Sequence, residues 1–169
     1  TFLLFTSYYA LNKVRDLIQD TINQLPEDMA SKPLLIQGER PKNELIEAFR
    51  EAGNGILLAT SSFWEGVDVK GVALSLVVID KLPFTAPDEP LVEAKIQSMR
   101  KQGKNPFYEL QIPEAITSLQ QGSGRLIRDQ DDKGVLVLCD PRIVANPYGK
   151  AFLQSLPTLP RTRDRSTVI

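Results

Sequence analysis

Short apolar runs alternate along this chain with stretches whose apolar residues recur every three or four positions. Phe2-Leu3-Leu4-Phe5 predicts a buried strand ending at Thr6-Ser7, and Ser7 is placed to cap the helix that follows. That helix would carry Leu11, Val14, Leu17, Ile18, Ile22 and Leu25 on one face before Pro26 stops it. Leu34-Leu35-Ile36 predicts a second strand. Pro41 then suits the first turn of a helix bearing Leu45, Ile46 and Phe49, with Gly53 as its terminator. Ile56-Leu57-Leu58-Ala59 predicts a third strand, running into a polar and aromatic stretch from Thr60 to Gly71. Leu74 to Ile79 predicts a fourth, nearly continuous in its apolar character, as when both faces of a sheet are covered. Pro83, Pro87 and Pro90 lead to a helix holding Leu91, Ile96 and Met99, and residues 102–112 form an excursion before the helix that Pro113 opens. Val135 to Cys139 predicts a fifth strand, with Cys139 inert in the core, and Tyr148 to Leu156 a last short helix.

Strands alternating with helices predict an α/β fold: a central, mostly parallel sheet between helical layers. A chain of 169 residues fits one domain, here residues 1–156. The remainder, 157–169, is polar, twice broken by proline, and expected to have little order alone.

Composition narrows the chemistry. The 20 basic and 21 acidic side chains give a net charge of −1, which argues against a simple polycation that clings to nucleic acid. The balance is uneven, because residues 142–169 carry 5 basic side chains against 1 acidic. One cysteine allows no internal disulfide and favours a cytoplasmic setting. With no histidine, Ser-His-Asp and Cys-His catalysis and the usual zinc sites are excluded, as is four-thiolate iron–sulfur ligation within this chain. Val72 to Ile79 is far too short to span a bilayer and no basic-then-apolar leader opens the chain, so no membrane partner is expected.

The most informative segment is Gln121-Gly122-Ser123-Gly124-Arg125-Leu126-Ile127-Arg128. On a helix, Gln121, Arg125 and Arg128 would share a face, with Ile116, Leu119, Leu126 and Ile127 largely opposite. Two guanidiniums one turn apart can chelate the negative charge of a phosphoryl group in transfer. Gly122 and Gly124 weaken such a helix, which small residues justify where something approaches closely. The competing reading is a solvated face whose arginines pair with Asp129, Asp131 and Asp132.

This octet resembles motif VI of superfamily 2 helicases, the segment that supplies arginine fingers to ATP bound by the other motor lobe. Phe5-Thr6-Ser7-Tyr8 resembles their motif IV, and Ser62-Phe63-Trp64-Glu65-Gly66-Val67-Asp68 resembles motif V of the XPD/DinG family of iron–sulfur, 5′-to-3′ DNA helicases. Leu82-Pro83-Phe84 and Arg125-Leu126-Ile127-Arg128 are also typical of that family. The resemblance implies a RecA-like (P-loop NTPase-type) lobe, the second of two. No Gly-x-x-x-x-Gly-Lys-Ser/Thr loop occurs, and Asp88-Glu89 is followed by proline rather than completing a magnesium-binding box. By the same resemblance, the phosphate loop, Mg2+ site and iron–sulfur cluster belong to the N-terminal motor lobe, and this chain alone is expected to be inactive.

The resemblance assigns ATP contacts to Gln121, Gly124, Arg125, Arg128, Glu65, Gly66 and Asp68, and single-stranded DNA contacts to Ser7, Tyr8, Thr60, Ser61, Ser62 and Trp64. Read as residues alone, several stay open. Ser7 taken alone reads as a plain helix cap with Tyr8 on the surface, and only the family position tips the pair toward DNA, while Trp64 could stack on a base or wedge a turn into the core. Phe63 is favoured for the core. Lys95, Arg100, Lys101 and Lys104 could track DNA or form a solvated face. Within the family, Asp80 to Pro90 and Pro160-Arg161-Thr162-Arg163-Asp164 look most like a bacterial DinG paralogue, which implies the chi subunit of DNA polymerase III as a partner, touching Arg161 and Thr162. Two rivals remain: a docking platform for a replication protein without catalytic contribution, and a self-sufficient nucleotide-binding enzyme, which the missing phosphate loop disfavours.

Overall fold

The structure, a computed structural model, describes residues 1–25, 32–60, 63, 74–86, 89–124, 126, 133–164 and 166. The chain divides into two compact units, residues 1–81 with 122–140, and residues 82–121 with 141–169.

Among the described residues, the first unit is built on five strands: β1 (Phe2–Phe5), β2 (Leu34–Ile36), β3 (Ile56–Thr60), β4 (Leu76–Ile79) and β5 (Val135–Leu138). Every pairing is parallel, in the order β2-β3-β1-β4-β5, so the expected mostly parallel sheet is parallel throughout. Helix α1 (Tyr8–Ile22) connects β1 to β2, and α2 (Lys42–Ala52) connects β2 to β3. Strand alternation sends successive side chains to opposite faces. Leu3, Phe5, Leu34, Ile36, Ile56 and Leu58 pack with Leu11, Val14 and Ile18 of α1. Phe2 points the other way, its ring 4.7 Å from that of Phe49 on α2. The two helices therefore cover opposite faces, as right-handed crossovers in opposite directions require. Burying Leu57 or Leu58, both fully inaccessible, stabilises the sheet by about 1.5–3 kcal/mol each.

Local signals set the helix ends. Ser7 is the N-cap of α1, its hydroxyl accepting from the Ala10 N–H at 3.3 Å. Gly53 closes α2 at φ 66°, in the left-handed region that glycine enters without a steric penalty. Three expectations fail here. Helix α1 ends at Ile22, and Leu17 and Leu25 are 65% and 39% exposed. Leu17 lies about 120° around the helix from Leu11, outside the stripe that faces the sheet. Cys139 is exposed rather than core: it follows the last strand residue of β5, on the face where Val137 is also exposed. Burial of its sulfur is only partial, but together with nearby Asp80 it pushes the thiol above its ordinary pKa.

The second unit contains α3 (Pro90–Lys101), a π-helical turn (Phe107–Gln111) leading directly into α4 (Ile112–Ser123), then α5 (Arg142–Ala145) and α6 (Gly149–Ser155). The last two residues of α4 belong to the first unit. On α3 the buried residues are Val92 and Ile96, and Leu91 is 74% exposed, about 140° from Ile96 and not on the expected apolar face. Phe84 anchors an aromatic group, with ring centroids 5.8 Å from Phe107, 6.0 Å from Tyr148 and 5.7 Å from Phe152. The Arg142 guanidinium lies 5.4 Å from the Phe84 centroid, a cation–π contact that joins α5 to the group. The turn of helix at Arg142–Ala145 has no counterpart in the sequence expectation. Among the described residues, no helix is long and apolar enough to cross a membrane.

Candidate nucleic-acid interface

A parallel sheet brings the carboxyl ends of all its strands to one edge, where α/β folds place their ligands. Here that edge carries Thr6 and Ser7 after β1, Gln37 after β2, Thr60 at the end of β3, Asp80 after β4, and Cys139 and Asp140 after β5. The register sets Phe5 opposite Thr60 and Ile36 opposite Leu58, which brings Gln37 level with the end of β3.

Gln37 organises the edge. Its backbone N–H donates to the Leu58 carbonyl at 2.9 Å, extending the ladder by one bond. Gly38, at φ 103°, then turns the chain, and the Glu39 N–H returns to the Ile36 carbonyl at 3.2 Å. With its backbone fixed, the Gln37 side chain reaches both neighbouring connections. Its Oε1 accepts from the Thr60 N–H at 2.6 Å and from the Thr60 hydroxyl at 3.0 Å. Its Nε2 donates to the Tyr8 hydroxyl oxygen at 2.8 Å. Nothing in the local sequence marks Gln37, because its partners lie 29 and 23 residues away.

Ser7 and Tyr8 are exposed, Tyr8 to 52%, while Thr60 is buried beneath Gln37 with 7% exposure. The structure thus joins Tyr8 to Thr60 through Gln37 and leaves Ser7 beside them as the cap of α1. Phe63 is buried, as favoured, with the Lys42 ammonium 5.2 Å from its ring centroid. Ser61, Ser62, Trp64, Glu65, Gly66, Asp68, Arg125 and Arg128 lie outside the described residues.

At the other candidate segment, Gln121 is exposed near the end of α4 and Gly124 is exposed in the turn beyond it. The helix stops at Ser123, with Gly124 in a turn, and Arg125 and Arg128, expected to share a face with Gln121, lie outside the described residues. Glycines at 122 and 124 are the physical reason for the stop, each being about 1 kcal/mol less favourable in a helix than alanine. Leu126 is nevertheless buried, its N–H bonded to the Ser123 carbonyl at 3.0 Å. Gly134, just before β5, provides its seat: a Cβ on Gly134 would lie 2.5 Å from Leu126 Cδ1 and 2.7 Å from Cγ.

Two further surfaces carry candidate residues. Lys95, Arg100, Lys101 and Lys104 are exposed at α3 and its end, with Lys95 3.8 Å from the Glu114 carboxylate. In the tail, the Arg161 guanidinium donates to the Leu153 carbonyl of α6, and Thr162 is exposed. The Asp164 carboxyl is held below its ordinary pKa by hydrogen bonds from the Ser166 side chain and backbone.

The sequence pattern of the helicase C-terminal domain family matches residues 1–159. The chain is 52% identical over 163 residues to the ATP-dependent DNA helicase YoaA of Escherichia coli K12, covering 96% of this chain and 24% of that protein. It is 41% identical over 156 residues to the 3'-5' exonuclease DinG of Bacillus subtilis, covering 92% of this chain and 16% of that one. The chain thus spans a quarter or less of the length of these relatives. The solved structure of Xpd4 from S. tokodaii superposes with a TM-score of 0.55 at 19% identity, covering 90% of this chain and 28% of that one, which establishes the shared RecA-like α/β fold. The chain belongs to the helicase C-terminal domain family, on its XPD/DinG branch, as a second RecA-like lobe.

Proposed function

We propose that this chain is the second motor lobe of an ATP-dependent DNA helicase that moves 5′ to 3′ along single-stranded DNA in repair or replication, within the cytoplasm. The observation that carries the reading is the family match over residues 1–159. In support, the carboxyl edge of the sheet offers an exposed helix cap and an exposed phenol side by side. Ser7 and Tyr8 contact the DNA backbone, Thr60 backs them through Gln37, and Ser61, Ser62 and Trp64 continue the track.

At the opposing-lobe interface, Arg125 and Arg128 stabilise charge developing on the γ-phosphate. Gln121, Gly124, Glu65, Gly66 and Asp68 form this lobe's side of the nucleotide site. ATP bound there supplies the phosphoanhydride bond whose hydrolysis drives opening and closing of the cleft. One cysteine and no histidine do not fit an iron–sulfur cluster, and among the described residues no group of three acidic or thiol side chains fits a metal. On the family resemblance, Mg2+ and the cluster belong to the N-terminal motor lobe, together with the phosphate loop, and this chain alone is expected to hydrolyse no ATP.

The test is ATP hydrolysis with single-stranded DNA by this chain, by its mixture with the N-terminal lobe, and by mixtures carrying Arg125→Ala or Arg128→Ala. Activity should arise only in the mixture and fall about a thousandfold or more with either arginine removed. Activity indifferent to both arginines would instead favour a docking module. A specific contact supports a docking role alongside the motor: Arg161 ties the tail to Leu153, leaving Thr162 exposed for a partner such as the chi subunit of DNA polymerase III. Unchanged affinity for chi after Arg161→Ala with Thr162→Asp would remove that contact from the reading.

A further inference from the structure

The hydrogen-bond chain Thr60–Gln37–Tyr8 has a fixed polarity. A backbone N–H can only donate, so the Gln37 atom 2.6 Å from the Thr60 nitrogen must be the carbonyl oxygen Oε1. The same oxygen takes the Thr60 hydroxyl proton at 3.0 Å. This settles the orientation of the amide, and Nε2 must face Tyr8, 2.8 Å from its hydroxyl. An amide NH2 has no acceptor capacity, so the tyrosine oxygen accepts. Its own proton is then directed away from Gln37, on a side chain 52% exposed at the carboxyl edge of the sheet. Left alone, a phenol serves equally as donor or acceptor. Here one of those roles is already taken.

From this we infer that Gln37 is a positioning residue that makes Tyr8 an obligate outward hydrogen-bond donor, selective for a ligand group that only accepts: a phosphodiester oxygen of single-stranded DNA. The inference rests on the motor-lobe reading for its ligand, while the polarity follows from the hydrogen bonds alone. A phosphodiester carries acceptors and no donors, whereas base edges present both. Gln37 therefore biases Tyr8 toward the sequence-independent part of the strand. It does so from a backbone locked to β3 through Leu58, so little order remains to be imposed when DNA arrives.

Gln37→Glu inverts the polarity while preserving the fold. An ionised carboxylate still accepts from the Thr60 N–H and hydroxyl, but it cannot donate, so the Tyr8 proton turns inward to it. The test measures binding of a fluorescent oligothymidylate by the full-length helicase carrying this lobe, near pH 7.5. Four proteins form a cycle: wild type, Tyr8→Phe, Gln37→Glu and the double variant, each with its melting temperature. Tyr8→Phe should weaken binding about tenfold in the wild-type background, the scale of one hydrogen bond to a charged acceptor. In the Gln37→Glu background it should have no further effect, because the proton it removes is already spent inward. That comparison is independent of the negative charge introduced at position 37, which both members of the pair share. Tyr9→Phe, which removes a neighbouring exposed hydroxyl outside this network, should bind as wild type does.

A tenfold loss in both backgrounds would overturn the role of Gln37. No loss in either, with DNA still bound by the wild type, would overturn the role of Tyr8. Failure of the wild type to bind single-stranded DNA would sink the motor-lobe reading and the ligand assigned here with it.

Discussion

Replacing Gly134 with alanine tests whether the seat beneath Leu126 matters to the two arginines flanking it in sequence. The added methyl would sit 2.5 Å from Leu126 Cδ1 and 2.7 Å from Cγ, against ordinary carbon–carbon contact at about 3.5–4.0 Å. Leu126 must withdraw by roughly 1 Å to restore that spacing. Its neighbours in sequence are Arg125 and Ile127, so the displacement falls on the segment proposed to carry the fingers. Overpacking of this kind destabilises by about 1–3 kcal/mol. Misplacing a catalytic group by 1 Å can slow a reaction about a hundredfold. The expected result is thus a modest fall in the urea midpoint with a disproportionate fall in DNA-stimulated ATP hydrolysis by the full-length enzyme. Leu126→Val in the same background removes a carbon from the clash and should recover part of the rate. Full activity in Gly134→Ala, or loss of rate that Leu126→Val leaves untouched, would show that this contact does not position the segment.

Gly149→Ala should be more disruptive to folding, because the new methyl meets the carbonyl group of Ile143, with its carbon at 2.5 Å and Cα at 2.9 Å, and backbone cannot rotate aside. A loss near the upper end of the overpacking range, about 3 kcal/mol, should appear as a large drop in the melting temperature. Ser7→Ala removes the cap of α1 and should lower stability by about 1 kcal/mol, measurable by urea denaturation. Cys139, although exposed, should react slowly with iodoacetamide near pH 8, because partial burial and Asp80 both raise the thiol pKa and deplete thiolate. Asp80→Asn should accelerate the reaction, and an unchanged rate would remove the carboxylate as a cause.

What could be read from sequence was what depends on neighbours along the chain. Phe2–Phe5, the cap at Ser7 and the stop at Gly53 are local, and each is found where expected. The errors arise where a third dimension decides. Leu17 and Leu91 stand next to Ile18 and Val92, and a sequence in which both members of a pair are apolar does not say which one faces inward. Cys139 ends an apolar run that resembles a central strand, but β5 lies at the margin of the sheet, where the outward positions stay exposed. The glycines at 122 and 124 were legible as residues for close approach, yet they also end the helix at Ser123. Gln37 was invisible for a different reason. Its significance comes from two hydrogen-bonded partners on other connections, and an isolated glutamine after a three-residue strand carries no period, spacing or charge to mark it.

Ser7 and Tyr8 carry no formal charge, which on the proposed reading has a consequence for how DNA would be held. A lysine or arginine neutralising a phosphate displaces a counterion, so its removal lowers the salt dependence of binding by about 0.7 per contact on a single strand. Ser7 and Tyr8, as proposed here, would offer hydroxyls and helix-terminal amides instead, able to bond a phosphate oxygen without adding a formal charge. Tyr8→Phe should therefore reduce DNA affinity by the same factor at about 50 mM and about 200 mM salt, leaving the slope of log K against log salt unchanged within about 0.2 of a unit. Replacing Lys101 with glutamine provides the contrast: if the basic residues around α3 touch phosphates, the slope falls, and if they form a solvated face, neither slope nor affinity moves. A Tyr8→Phe variant whose slope drops as a lysine variant's does would mean that the phenol works through a neighbouring cation, and the neutral-donor account of this edge would be wrong.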